Sequence, residues 1–327
     1  MNTVTNKLIV SHAPHVKGKD DTRTIMFDVI IALLPLLIAG TVVMGYRAAI
    51  LAVVCVASSV LFEWAWEKLL KKPITICDMS AAVTGLILAL NLPVTLPFWM
   101  AIAGCFFAII IVKQFFGGLG HNFMNPALAG RAFLLTSWAM EMTTWIRPFE
   151  KISLFSNSDV ISSATPLSIL KEGGEKLPSY LDLFLGNVGG CIGEVSALAI
   201  LIGAAYLLYR RVIDWKVPFV YILTVFVLSY FIGRDGIYQI LSGGLLFGAF
   251  FMATDYVTTP YTKLGRIIFA FGCGLLTFII RNWGGYPEGV SYSILFMNVL
   301  TPLIDKYTVP KTFGEKGEKD YAKQGNN

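Results

Sequence analysis

The chain has 327 residues, of which 55% are hydrophobic and 14% are charged. Together with a mean hydropathy of +0.66, this composition excludes an ordinary soluble globular protein and predicts an integral membrane protein. The formal net charge of +5 does not indicate nucleic-acid binding, because an excess of Lys and Arg is the usual signature of orientation in a membrane.

Apolar segments recur along nearly the whole chain. A helix of roughly 20 residues crosses a hydrocarbon core of about 30 Å, and on this basis we predict ten transmembrane spans, of which the third and fifth are short. The predicted spans are residues 25–45, 48–69, 79–92, 96–115, 123–138, 193–209, 217–233, 237–254, 264–281 and 289–306.

The spans divide the chain into an N-terminal segment (1–24), a first half (25–138), a loop (139–192), a second half (193–307) and a tail (308–327). The first segment is polar and has no apolar core followed by a cleavage site, so no cleavable signal peptide is expected. Lys and Arg cluster on the side that holds both termini, which predicts that both ends are cytoplasmic and that the loop faces outward.

An internal similarity links the two halves. Residues 103–118 match residues 271–285, with Cys105 and Cys273 at corresponding positions. Because each half has five spans, the two copies must be inverted in the membrane, and inverted repeats place binding sites near the midplane, often at interrupted helices. We therefore predict an all-α fold of two inverted five-helix repeats. The alternative is that glycine-rich helices resemble one another through packing requirements alone.

The five cysteines form no CxxC pair and no zinc-like spacing. An iron–sulfur centre usually takes four thiolates, which this pattern does not offer. Four of the five lie in or beside predicted spans, where we expect them to act as small hydrophobic residues, and we predict no certain metal site.

A glycine-rich turn, residues 117–131, leads into a predicted helix start at Pro126. The backbone N–H groups of such a start can hold an anion or an oxygen-rich ligand. Asn122, Asn125 and Arg131 are therefore candidate binding residues.

Carboxylates near the spans are costly and are candidates for function. Asp255 lies at a span end among hydroxyl side chains and could bind a hard cation such as sodium, or only cap a turn. Glu63, which precedes Trp64 and Trp66, is expected at the membrane interface, and Asp78 is expected at a helix N-terminus.

The long loop contains the run Asp159-Val-Ile-Ser-Ser-Ala-Thr-Pro-Leu167. Pro166 disfavours a helical backbone at Thr165, and the preceding residues are small. We therefore expect an accessible Thr165 hydroxyl that a modifying enzyme can reach.

Four segments together resemble the D subunit of Rnf complexes, with the B subunit of sodium-pumping NADH:quinone oxidoreductase as the nearest related protein. They are Ser11-His-Ala-Pro-His15, residues 121–127 (His-Asn-Phe-Met-Asn-Pro-Ala), residues 252–260 (Met-Ala-Thr-Asp with Thr-Thr-Pro) and residues 162–167 (Ser-Ser-Ala-Thr-Pro-Leu). The resemblance covers essentially the whole chain.

This resemblance implies a membrane subunit that couples electron transfer between ferredoxin and NAD to sodium or proton translocation. It implies that a flavin transferase attaches FMN by a phosphoester to Thr165, although Ser163 stands where the family often has glycine. It also allows a second, noncovalent flavin such as riboflavin. The implied partners are the A and E membrane subunits, the G flavoprotein, the B and C cytoplasmic subunits, and membrane lipid of a bacterial or archaeal cytoplasmic membrane, with no nucleic acid.

Two other functions remain open. In a passive, urea-transporter-like channel, Asn122, Asn125 and Asp255 would line a solute path and Thr165 would be an ordinary loop residue. In a structural anchor for redox partners, loss of Thr165 would leave the activity of the complex intact.

Overall fold

A computed structural model describes residues 21–149, 163–172, 177–285 and 288–310. Within these ranges the regular secondary structure is helical, apart from an isolated β-bridge at Ile146. Helices α1 (Thr22–Met44) and α2 (Tyr46–Leu69) are long and apolar enough to cross a membrane, as is α13, named below. The prediction of a multi-span helical membrane protein is confirmed at this level.

Most of the other helices in the described ranges overlap the predicted spans, whereas α6, α7 and α8 fall within the predicted loop (139–192). They are α3 (Ser80–Leu90), α4 (Phe98–Phe106), α5 (Pro126–Ser137), α6 (Ala139–Met142), α7 (Pro166–Glu172), α8 (Tyr180–Leu185), α9 (Ala197–Tyr209), α10 (Lys216–Phe231), α11 (Gly236–Leu241), α12 (Leu245–Phe247), α13 (Lys263–Trp283) and α14 (Val290–Thr308). Helix α4 continues as a π-helix over Phe107–Gln114, and α12 continues as one over Gly248–Met252.

The third predicted span is short and the eighth is interrupted. Helix α3 runs only from Ser80 to Leu90, and the eighth span is broken between α11 and α12. The break lies at Gly243, whose φ of 65° is in the left-handed region that favours glycine. A side chain there would also meet Leu167, so the break packs directly beneath the start of α7.

Close helix packing joins the two halves. Helix α1 packs against α9, and α5 packs against α14. At the first contact, a Cβ atom on Gly203 would overlap the carbonyl oxygen of Ala32, so only glycine permits this approach of the two backbones.

Buried polar groups lie between α2 and the π-helical end of α4. Glu63 is 0% exposed and its carboxylate lies 2.6 Å from the Lys113 ammonium. Gln114 donates a second hydrogen bond of 2.7 Å to the same carboxylate oxygen. Glu63 is therefore buried inside the protein, where the π-helical segment supplies two consecutive polar partners, and its position at the membrane interface stays a prediction.

Two smaller expectations agree with the structure. Asp78 accepts hydrogen bonds from the Ser80 backbone and hydroxyl at the start of α3, at 2.8 and 2.7 Å. All five cysteines are free, and only Cys77 is exposed. Several predicted features lie outside the described residues: most of the N-terminal segment with Ser11–His15, the tail beyond residue 310, and residues 150–162 of the loop.

Candidate functional site

Two cavities contain the candidate residues from the sequence. The first, here called the threonine cavity, has a volume of about 420 Å³. Its wall includes Thr165, Arg131, Trp145, Glu288 and Tyr292. The second, the asparagine cavity, has a volume of about 90 Å³ and is lined by Asn122, Asn125 and Asp255 among others.

Thr165 stands immediately before α7, outside the helix, as Pro166 predicts. The Thr165 hydroxyl oxygen accepts a hydrogen bond from the Ser168 backbone N–H at 3.2 Å and lies 3.0 Å from the Ser168 hydroxyl. This is the capping geometry of a helix start. The side chain is therefore fixed in orientation.

The exposure of Thr165 differs from the expectation. The residue is 4% exposed, so the prediction of an openly accessible hydroxyl is wrong. Leu167, also 4% exposed, packs into the break at Gly243 and draws the start of α7 into the protein. Thr165 consequently lies in the wall of a cavity and not on an open loop.

A second stretch of backbone holds the threonine segment in place. The Ser163 N–H donates to the Trp145 carbonyl at 2.9 Å. A Cβ atom on Gly189 would lie 2.6 Å from the Ser163 hydroxyl oxygen, so the absence of a side chain at 189 leaves room for a serine at 163. The departure from the family pattern at Ser163 is thus accommodated.

Arg131 extends from α5 into a buried network beside this cavity. Its Nη1 donates to Asn91 Oδ1 at 2.9 Å and to Glu194 Oε1 at 3.2 Å. Its Nη2 donates to Glu288 Oε2 at 2.5 Å and to Cys191 Sγ at 3.4 Å. One guanidinium thereby connects α5, the end of α3, the segment before α9 and the segment before α14.

Asn122 and Asn125 face the other cavity. Asn125 caps α5, since its side-chain oxygen accepts from the N–H groups of Ala127 and Leu128 at 3.1 and 3.2 Å. Those two N–H groups are therefore used within the chain, and ligand binding at Asn122 and Asn125 stays a prediction. Asn122 Oδ1 is buried and has no hydrogen-bond partner among the described residues.

Asp255 lies in the wall of the asparagine cavity and caps its own turn. Its carboxylate accepts from the Thr258 hydroxyl at 3.1 Å and from the Val257 N–H at 3.4 Å. These contacts agree with the turn-capping alternative. Sodium binding at Asp255 stays a prediction.

The sequence identified some residues of the two cavities as candidates and missed others. It did not identify Glu194 and Glu288 as candidates, although each is an acidic residue within a few positions of a predicted span end. An acidic residue at a span end could have indicated this network, because a carboxylate at membrane depth needs a partner. The partner, Arg131, is more than 60 positions from Glu194 in sequence.

Comparisons with known proteins agree over the whole length. The model of the NQR2, RnfD, RnfE family matches residues 9–314. The D subunit of the Na⁺-translocating ferredoxin:NAD⁺ oxidoreductase complex of Acetobacterium woodii is 52% identical over 319 residues, covering 97% of this chain and 98% of that protein. The D subunit of the proton-translocating complex of Clostridium ljungdahlii is 44% identical, with 95% and 97% covered. The D subunit of an ion-translocating oxidoreductase complex of Stutzerimonas stutzeri is 39% identical, with 89% and 91% covered.

Proposed function

Because this chain belongs to the NQR2, RnfD, RnfE family, we propose that it is the D subunit of an ion-translocating ferredoxin:NAD⁺ oxidoreductase complex and carries FMN joined covalently to Thr165. The similar proteins are named for sodium in one case and for protons in another. Family membership is therefore compatible with translocation of sodium and with translocation of protons.

The observation that carries the flavin assignment is the position of Thr165 in the wall of the threonine cavity. A volume of about 420 Å³ lies within the range of roughly 300–1,000 Å³ typical of small-molecule sites. Trp145 and Tyr292 supply aromatic surface for a flavin ring, and the wall also contains hydroxyl side chains, among them Thr144 and Ser168. The residues present therefore fit the group.

The chain would contribute attachment, position and electrostatics. Bound FMN supplies electron transfer, which no side chain in the cavity wall provides. A phosphoester at Thr165 holds the cofactor without depending on equilibrium affinity. Since Ser168 and the segment at Trp145 fix the threonine, the attachment point is rigid.

Covalent attachment is tested by producing the chain together with a flavin transferase and separating it on a denaturing gel under ultraviolet light. We expect fluorescence in the wild type and none in Thr165→Val. Thr144→Val, a threonine of the same cavity wall, is the matched control and should keep the fluorescence. Peptide mass spectrometry should place an FMN-sized addition on the peptide that contains Thr165. Fluorescence that persists in Thr165→Val, or an unmodified peptide from active complexes, would contradict the assignment.

We propose that the fold consists of two inverted five-helix repeats with both termini in the cytoplasm. The contact of α1 with α9 and that of α5 with α14 support this arrangement, since they pair the first helices and the last helices of the two halves. The threonine cavity would then open on the outer side of a bacterial or archaeal cytoplasmic membrane. Partners would be the A, E, G, B and C subunits of the complex, the flavin transferase and lipid.

A second, noncovalent flavin such as riboflavin is proposed without an assigned cavity. The asparagine cavity, at about 90 Å³, lies well below the roughly 300–1,000 Å³ typical of small-molecule sites. Denaturing extraction of the purified complex, followed by chromatography, should release this flavin while FMN stays on the chain.

The passive channel is the second candidate, since Asn122, Asn125 and Asp255 do line one cavity. Full-length similarity to redox-complex subunits disfavours it. Flux of urea into proteoliposomes that contain the chain alone would favour the channel, and its absence together with covalent fluorescence would favour the redox function.

A further inference from the structure

The network beside the threonine cavity contains one cation and two carboxylates. Arg131 pairs with Glu194 through Nη1 at 3.2 Å and with Glu288 through Nη2 at 2.5 Å. Ligating atoms of the two glutamates and of Cys191 lie within 4.8 Å of one another. With both carboxylates ionised, the cluster would hold an excess negative charge in a buried place, where like charges at this separation are strongly unfavourable.

The two carboxylates differ in their surroundings. The Glu194 side chain is 3% exposed, and its Oε2 has no hydrogen-bond partner among the described residues. A buried carboxylate oxygen without a donor is costly, and a proton on the carboxyl removes that cost. The Glu288 side chain is 16% exposed and lies in the cavity wall.

A second buried arginine lies near the cluster without pairing with it. The charge of Arg281 acts on both carboxylates, but its guanidinium donates to the carbonyl oxygens of Gln239 and Ser242 and forms no ion pair with either glutamate in the described ranges. Ser291 and Asn91 are neutral acceptors of Arg131. A metal ion is also disfavoured, because the Arg131 guanidinium already lies against both carboxylates.

We propose that Glu194 and Glu288 together hold one exchangeable proton, and that Glu288 passes it between this cluster and the group that occupies the threonine cavity. The second part rests on the proposed function. The proton rests on Glu194 or on Glu288, whose carboxylates both contact Arg131, and Glu288 is the one that faces the cavity.

The proton transfer balances in charge and atoms. Glu288 would release its proton toward the cavity by cleavage of its carboxyl O–H bond, and FMN bound at Thr165 would supply the proton acceptor once reduced by the electron donor of the complex. Glu288 would then be ionised against Arg131 and would regain a proton from water. Because both carboxylates contact the Arg131 guanidinium, the cluster is stable when one carboxyl carries the proton. The shared proton can also be released, because both carboxylates then lie against the guanidinium.

The shared proton is tested by infrared spectroscopy of the purified complex in H₂O and D₂O. Wild type should show a protonated-carboxyl carbonyl band that shifts in D₂O. Glu288→Gln and Glu194→Gln should each abolish this band, because the single remaining carboxylate pairs with Arg131 and ionises. Glu288→Asp keeps a carboxyl and Ser291→Ala removes only a neutral acceptor, so both should retain the band.

Retention of the band in both Gln variants would overturn the proposal. Loss of the band in Glu288→Gln but not in Glu194→Gln would also overturn it, because the proton would then belong to Glu288 alone. Loss of the band in Ser291→Ala would show a general structural disturbance and would also count against it. This measurement requires no flavin. Fluorescence on a denaturing gel of the same samples reports the covalent FMN separately, so failure of the two proposals can be distinguished.

Transfer to the cavity has its own readout in the holo complex. The midpoint potential of the covalent flavin should depend less steeply on pH in Glu288→Gln than in the wild type or in Ser291→Ala. Identical pH dependence in all three would refute the role of Glu288 as the exchanging group.

Discussion

Removal of the Lys113 ammonium should destabilise the protein strongly, because it leaves a buried carboxylate without its cation. The side chains of Lys113 and Glu63 are 2% and 1% exposed and their charged atoms are 2.6 Å apart. In Lys113→Met the Glu63 carboxylate would keep only the hydrogen bond from Gln114. Breaking a buried pair by removing one partner costs about 3–5 kcal/mol, and we expect a loss of that size in the free energy of unfolding.

The partner substitution should rescue most of this loss. In Lys113→Met with Glu63→Gln, no charge is buried and the amide oxygen can still accept from Gln114. Unfolding of the purified chain in mixed detergent micelles, followed by circular dichroism, gives the free energies for a double-mutant cycle. Lys72→Met, at an exposed lysine, is the control and should change stability by less than about 0.5 kcal/mol. A loss in Lys113→Met no larger than in Lys72→Met, or a double variant no more stable than the single one, would refute the reasoning.

Local geometry gives three further predictions. Asn125→Ala removes the acceptor of two first-turn amides of α5 and should cost about 1 kcal/mol of unfolding free energy; no measurable loss in the same micelle assay would contradict its capping role. Gly203→Ala places a Cβ against a backbone oxygen of α1 and should cost about 1–3 kcal/mol, whereas Gly190→Ala meets no atom within 4 Å and should be tolerated; equal stability of the two would contradict the close-packing argument. Ser179 donates to Asp182 and thereby lowers the pKa of that carboxyl, so its contribution is present above the ordinary Asp pKa of about 3.9 and is lost as pH falls. Ser179→Ala should therefore show a shallower loss of stability toward acid, and an unchanged slope would contradict it.

The covalent chemistry and the packing of Thr165 are linked through α7. The hydroxyl that we assign to the phosphoester is also the acceptor of the Ser168 N–H. Since Thr165 is 4% exposed, the local arrangement around the start of α7 must differ when a transferase gains access to it. The sequence could not indicate the burial of Thr165, because that burial depends on Leu167 and on the break at Gly243, which lies far along the chain.

The sequence by itself determined those features that depend on neighbouring residues. Apolar runs of helical length located most of the helices, and Pro166 kept Thr165 out of a helix. The motifs that carry the family resemblance are likewise contiguous. In each of these cases the signal lies in one continuous stretch of the chain, so the sequence alone was sufficient.

Only the tertiary structure decided which side chains share a site. Asn125 and Arg131 are six positions apart in one motif, yet they line different cavities, because six residues of helix cover about 9 Å along the axis. Glu194 and Glu288 are far apart in sequence and meet on a single guanidinium. Such meetings depend on how α3, α5 and the segments before α9 and α14 pack together, and a pattern of hydrophobicity along the chain does not contain that information.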